Sequence, residues 1–154
     1  AFNKIRPRDI NIECGVGETD GIMDYHVISN NSTMNSFSKQ NLIENGMLKY
    51  VTKTIPVKIK PLKSILQQHG SQFSEIDILT IDVEGYDYEV LNSNDWLKYK
   101  PKIIAIELNI VSVNDLLNHR SAVFLKNLGY TIIAKNVILN NVATVFFVRE
   151  NFNY

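Results

Sequence analysis

Asp82 and Glu84 stand two residues apart at the end of a short apolar run, and Gly85 follows them in the segment Ile81-Asp82-Val83-Glu84-Gly85. Residues two apart on an ideal strand share a face. Carboxylates placed this way can take a proton from a substrate, orient a hydroxyl or an amine, or hold a divalent cation. Gly85 lets the backbone turn tightly into the next element and approach a ligand closely. A second apolar run, Lys102–Leu108, ends in Glu107-Leu108-Asn109 and delivers another acid and an amide. A plainer role competes on spacing alone, because Glu84 and Asp87 also suit the N-terminus of a following helix. The strand-end position of Asp82 favours function over capping, since open α/β sheets bind ligands beyond the carboxyl ends of their strands.

Other residue types point away from other chemistries. Gly15-Val16-Gly17 has no third glycine and no Lys-Ser/Thr at the spacing of a phosphate loop, so it reads as a turn leaving a strand. His26, His69 and His119 are scattered without metal-ligand spacing, and no metal is expected. His119 falls on a long helical stripe and reads as a solvated polar residue, while His69, just before Gly70, suits a helix C-terminus. Cys14 is the lone cysteine, which excludes an internal disulfide and fits a reducing, cytoplasmic setting. No Gly-x-Ser-x-Gly elbow is present.

The elements that must position these acids follow from periodicity. Residues 1–60 read as a β-rich opening segment with strands at Asp9–Val16, Ile22–Ser29 and Tyr50–Lys60, and Asn30–Lys39 as a polar loop. From Pro61 to the end the pattern alternates. Leu62, Ile65 and Leu66 form a helix between Pro61 and Gly70, and Asp77–Asp82 reads as a buried parallel strand. Tyr86–Leu91 follows as a short helix and Lys102–Leu108 as a second buried strand. Ser112 and Asp115 form a capping box ahead of one stripe of Leu116, Leu117, Phe124 and Leu128, ended by Gly129. Tyr130–Ala134 and Ala143–Val148 close the chain as an antiparallel pair, since Lys135–Val142 is too short for a helical crossover. The expected fold is a single α/β domain: a partial doubly wound, parallel sheet covered on both faces, with a C-terminal antiparallel hairpin.

Bulk properties narrow the function. The 154 residues carry sixteen basic and sixteen acidic side chains, so a nucleic-acid binder working through a broad basic face is excluded. No apolar run approaches the roughly 20 residues of a membrane helix.

The residues also carry a family resemblance. Ile76-Asp77-Ile78-Leu79-Thr80-Ile81-Asp82-Val83-Glu84-Gly85-Tyr86-Asp87-Tyr88-Glu89-Val90-Leu91 resembles the signature segment of the FkbM family of methyltransferases. Lys100-Pro101-Lys102-Ile103-Ile104 with Ile106-Glu107, and Phe124–Tyr130, resemble the family's next strand and helix end, and Asn11–Gly21 resembles the segment before its central strands. The resemblance implies a class I, Rossmann-like fold with S-adenosylmethionine as methyl donor and an oxygen of a sugar or small metabolite as acceptor. It implies catalytic roles for Asp82 and Glu84, acceptor binding by Glu107 and Asn109, and an approach of Gly17 and Glu18 to the adenine. The family's opening strand, its Asp-x-Gly-Ala-x-x-Gly loop and its ribose-gripping acid have no counterpart in this sequence, and Thr80 stands where a Lys is common. The chain is therefore expected to represent the C-terminal part of such a methyltransferase, to bind S-adenosylmethionine poorly, and to be inactive alone. It is also expected to form a homodimer through an exposed sheet edge. A degenerate, non-catalytic binding or assembly module on the same scaffold is the alternative. A cation site for phosphoester hydrolysis at Asp82, Glu84 and Glu107 is the weakest reading.

Overall fold

The computed structural model describes residues 2–28, 34–70, 73–139 and 141–152. After a single helical turn, α1 (Phe2–Ile5), come β1 (Gly15–Val16), β2 (Gly21–Ile28), α2 (Lys39–Glu44), a 3₁₀ turn at Leu48–Tyr50 and β3 (Val51–Lys60). Then follow α3 (Leu62–His69), β4 (Ile78–Ile81), α4 (Asp87–Asn92), β5 (Ile103–Asn109), α5 (Val113–Asn118), α6 (Arg120–Asn127), β6 (Tyr130–Leu139) and β7 (Val142–Arg149). The strands make two sheets, one ordered β1-β3-β2 and the other β4-β5-β7-β6.

Both sheets are mixed. In the first, β1 runs parallel to β3 and β2 antiparallel to it. In the second, β4 and β5 are parallel, whereas β7 lies antiparallel between β5 and β6. Of the parallel sheet expected ahead of the C-terminal antiparallel pair, the described residues show one parallel pairing in the second sheet, β4 with β5. The expected burial of β4 is corrected too. It lies at the sheet's edge, so Ile81 is buried but Ile78 is 59% exposed.

The core sits on the second sheet. Ile104, Ile106, Leu108, Val145 and Phe147 from β5 and β7 pack with Val90, Leu91, Trp96, Leu116, Leu125 and Tyr130. The Trp96 ring meets those of Phe124 and Tyr130 edge-on at 6.0 and 5.9 Å, the offset geometry aromatic quadrupoles favour. The polar tips are satisfied: Trp96 Nε1 donates to Leu91 O at 2.9 Å and Tyr130 Oη to Pro101 O at 2.6 Å.

Three local readings change. Asp9–Val16 supplies only the two-residue β1, because the Asn11 side chain donates to the Arg6 and Asp9 carbonyls and holds that stretch in turns. Within Asn30–Lys39 the described part leads into an unexpected helix, α2, capped by Ser38, whose Oγ accepts from Asn41 N. The single stripe after Ser112 is two helices. The capping box forms as expected, but His119 takes an extended backbone (ψ 134°), ends α5 and caps α6. The last strands run longer than expected, with irregularities in register at Ile132/Ala134 and Val137/Leu139.

Candidate active site

Asp82 follows the last residue of β4, and Glu107 and Asn109 lie in the last turn of pleat of β5, which β4 pairs in parallel register through Ile81 and Ile106. Parallel pairing therefore brings both strand ends to the same rim. There Asp82, Glu84 and Glu107 each place a carboxylate oxygen within 4.8 Å of the other two. Asp82 is exposed, whereas Glu84 and Glu107 are half-buried.

The turn from β4 into α4 is built on two left-handed residues, Glu84 (φ 52°) and Gly85 (φ 89°). The second is ordinary for glycine; the first is rare for a side-chain-bearing residue. Asp87 closes the turn, its Oδ1 accepting from Val83 N at 3.3 Å and its Oδ2 from Gly85 N at 3.1 Å. Of the capping role weighed for Glu84 and Asp87, the structure shows no side-chain cap on α4, whose N-cap is Tyr86; the buried Asp87 instead braces the turn that precedes the helix. The Glu84 carbonyl accepts two side-chain bonds from before β3, from Ser36 Oγ at 2.6 Å and Asn41 Nδ2 at 2.8 Å.

Crowding of acids sets the electrostatics. Burial, followed by the charges of Glu107, Asp82 and Asp87, pushes the Glu84 carboxyl up to about 7. Burial also raises Asp87 to about 6, against its bonds from backbone amides. Glu107 is raised by burial first and by Asp82 and Asp87 second. Near neutral pH, Glu84 is a carboxyl that both holds and releases a proton, as a general base requires.

Two cavities adjoin this rim and share Asn41, Gly85, Asp87, Glu107 and Asn109. One, of about 620 Å³, is also lined by Asp82 and Glu84, and by Met47 and Val142. The other, of about 450 Å³, extends past Tyr86 and Tyr88 to His119, Arg120 and Ser121. Arg120 is engaged: its guanidinium lies 3.0 Å from Glu89 and 4.4 Å from the Tyr88 ring centre. His119, expected to be solvated, is half-buried; its Nδ1 accepts from Ser121 N at 3.3 Å, and burial lowers its pKa. The acids thus outnumber unpaired cations around both cavities, which favours neutral or positively charged ligands.

The fold unites Asp82, Glu84, Glu107 and Asn109. Gly17 and Glu18 lie elsewhere and line neither cavity. A Cβ on Gly17 would come 3.0 Å from Ile59 Cγ2 and 3.1 Å from Tyr86 Cε1, so its missing side chain makes room for packing within the chain. The Glu18 carboxylate accepts from Asn92 Nδ2 at 2.8 Å. The three carboxylates could share a divalent cation, but exposed acids commonly gather without one, and nothing else here marks an ion.

Ser36 and Asn41 escaped sequence reading, as did His119 as a cavity residue. The Ser36–Glu84 bond spans 48 residues, and no local spacing announces it. Among the described residues no helix is long and apolar enough to cross a membrane. Comparison with the curated proteins found no match, and neither did comparison with the solved structures. The family model described as the methyltransferase FkbM domain matches residues 1–132, most of the chain and all of the acidic rim. The chain belongs to the FkbM methyltransferase family.

Proposed function

We propose that this chain acts in methyl transfer from S-adenosylmethionine to a hydroxyl oxygen of a neutral or cationic acceptor, a sugar or another small hydroxylated metabolite, on a Rossmann-like scaffold. The observation that carries the reading is Glu84: a half-buried carboxyl held at about 7 by burial and by its acidic neighbours, on a cavity of about 620 Å³. Bound S-adenosylmethionine supplies a methyl carbon activated by a positively charged sulfur. The chain's part is to ready the oxygen. Glu84 takes the proton from the acceptor hydroxyl, and Asp82 and Glu107 raise its basicity by their charge. Glu107 and Asn109 accept and donate hydrogen bonds to neighbouring hydroxyls, which sets the attacking oxygen in line.

The test is transfer of labelled methyl from S-adenosylmethionine to matched neutral and carboxylated sugars. Glu84→Gln should lower kcat by about 10²-fold or more on neutral acceptors, and carboxylated acceptors should be poor substrates. Equal rates for the wild type and Glu84→Gln would overturn the reading.

A second reading, a non-catalytic binding or assembly module, is favoured by the engagement of Gly17 and Glu18 within the chain. For the same reason weak cofactor affinity is expected. Calorimetry showing no S-adenosylmethionine binding to the folded chain supports this second reading, and micromolar binding removes it. A homodimer is also proposed, through β4, which has β5 as its neighbour in the described sheet and leaves Ile78 59% exposed. Sedimentation should then show a dimer that Ile78→Lys dissociates; a monomer at high concentration would rule it out.

A further inference from the structure

Glu84 holds a backbone conformation that its own side chain does not favour, and the groups that hold it come from outside the acidic turn. With φ at 52°, the residue lies in the left-handed region, where side-chain-bearing residues are rare because Cβ crowds the following carbonyl. Two hydrogen bonds meet its carbonyl, from Ser36 Oγ and Asn41 Nδ2. Both donors are themselves fixed. Ser36 is 1% exposed, and its Oγ accepts from Ser38 N at 2.9 Å. Asn41 stands in the first turn of α2, where its N–H donates to the capping Ser38 Oγ at 3.1 Å. Asn45 Nδ2 in turn bonds Asn41 Oδ1, leaving the Asn41 amide nitrogen to face the turn. Packing repeats the constraint: a Cβ on Gly85 would collide with the Asn41 side chain, so α2 rests directly on the turn.

A residue in the left-handed region projects its side chain differently from one in a strand. A change of φ at Glu84 would rotate its Cβ about the N–Cα bond and carry its carboxylate away from the position it now holds beside Asp82 and Glu107. We infer that Ser36 and Asn41 are positioning residues for Glu84: by holding its carbonyl they fix the left-handed backbone that sets its carboxylate against those of Asp82 and Glu107. The role rests on the reading of Glu84 as proton acceptor, but its structural content can be tested apart from that reading. The clamp also gives the first sheet a part in the chemistry. His26 exchanges backbone hydrogen bonds with Ser36, at 2.9 and 3.2 Å, and so anchors the clamp to β2.

The test is nuclear magnetic resonance on the whole chain, reading the Glu84 carboxyl carbon through a pH titration and its HN–Hα coupling as a measure of φ. Ser36→Ala and Asn41→Leu each remove one donor at similar volume; the pair removes both. With the clamp lost, the Glu84 midpoint should fall by about one pH unit or more toward the ordinary carboxylate range as the side chain swings into water, and the coupling should shift toward extended backbone. Each single variant should move both part of the way, which keeps the test decisive should the double variant unfold. A lower melting temperature with an unmoved midpoint and coupling would reduce the two residues to structural supports and overturn the inference. Methyl-transfer assays on the same samples separate the two claims. A midpoint that moves in a chain without transferase activity keeps the clamp and sinks the catalytic reading; an unmoved midpoint sinks the clamp whatever the activity.

Discussion

The two sheets are held together by different means. In β5 and β7 nearly every inward position is buried, and Ile104, Ile106, Val145 and Phe147 are sealed from solvent. In β2 and β3, by contrast, Ile28 and Ile59 are the buried residues, and Ile22 is 74% exposed. The first sheet therefore rests on its hydrogen-bond ladder and on a few contacts across to α4, the second on an apolar core. The lesson concerns division of labour: the well-packed region carries the acids, and the thinly packed one supplies the groups that aim them.

The contrast can be broken most directly by cavities. Leu125→Ala, at a fully buried site of α6 in the core that covers the second sheet, should cost about 3 kcal/mol in denaturant unfolding, whereas Ile55→Ala in β3 should cost about 0.5 kcal/mol or less. Similar losses at both sites would mean that the sheets share one core after all. Next comes the joint between them. Gly85→Ala places a methyl group against Asn41 at φ 89° and should cost about 2 kcal/mol; thermal unfolding near the wild-type value would show that α2 yields freely.

Acidity sharpens the comparison at smaller scale. Glu84 binds its proton more tightly in the folded chain, near 7, than at its ordinary value of 4.5. Between those values the folded state carries the extra proton, so the contribution of Glu84 to stability is most favourable below about 4.5 and is lost as pH rises through 7. With screening by the solvent that reaches this group, the decline should be about 1–2 kcal/mol. Unfolding at pH 5 and pH 8 measures it, and Glu84→Gln should flatten the slope in part, leaving the shares of Asp87 and Glu107. A slope identical in the variant would relocate the strain to those two. The smallest effect belongs to the surface. Arg120→Ala, losing a half-exposed ion pair with Glu89 and the stack on Tyr88, should cost less than about 1 kcal/mol, and the cost should shrink in high salt.

What could be read from the chain alone follows the range of the interaction. The Ser112–Asp115 box is an i, i+3 pattern, and it forms as expected. The convergence of Asp82, Glu84, Glu107 and Asn109 on one rim was legible because parallel strands carry their ends to the same side. The burial of β4 was not, since an apolar run is the same string whether its strand lies at the centre or the edge of a sheet. His119 hid its break in a stripe whose helical spacing continues across it. Ser36 and Asn41 reach Glu84 from more than forty positions away, and nothing in their neighbourhood records the meeting.

The left-handed backbone at Glu84 also shapes how this position can drift. Among the residues one base change from a glutamate codon, Asp and Gly accept that conformation most readily. Asp keeps the charge but draws it back by one methylene; Gly keeps neither charge nor strain. The easiest replacement for the fold is thus the one that erases the carboxylate, so a lineage freed from selection on this side chain would shed the charge here while gaining stability.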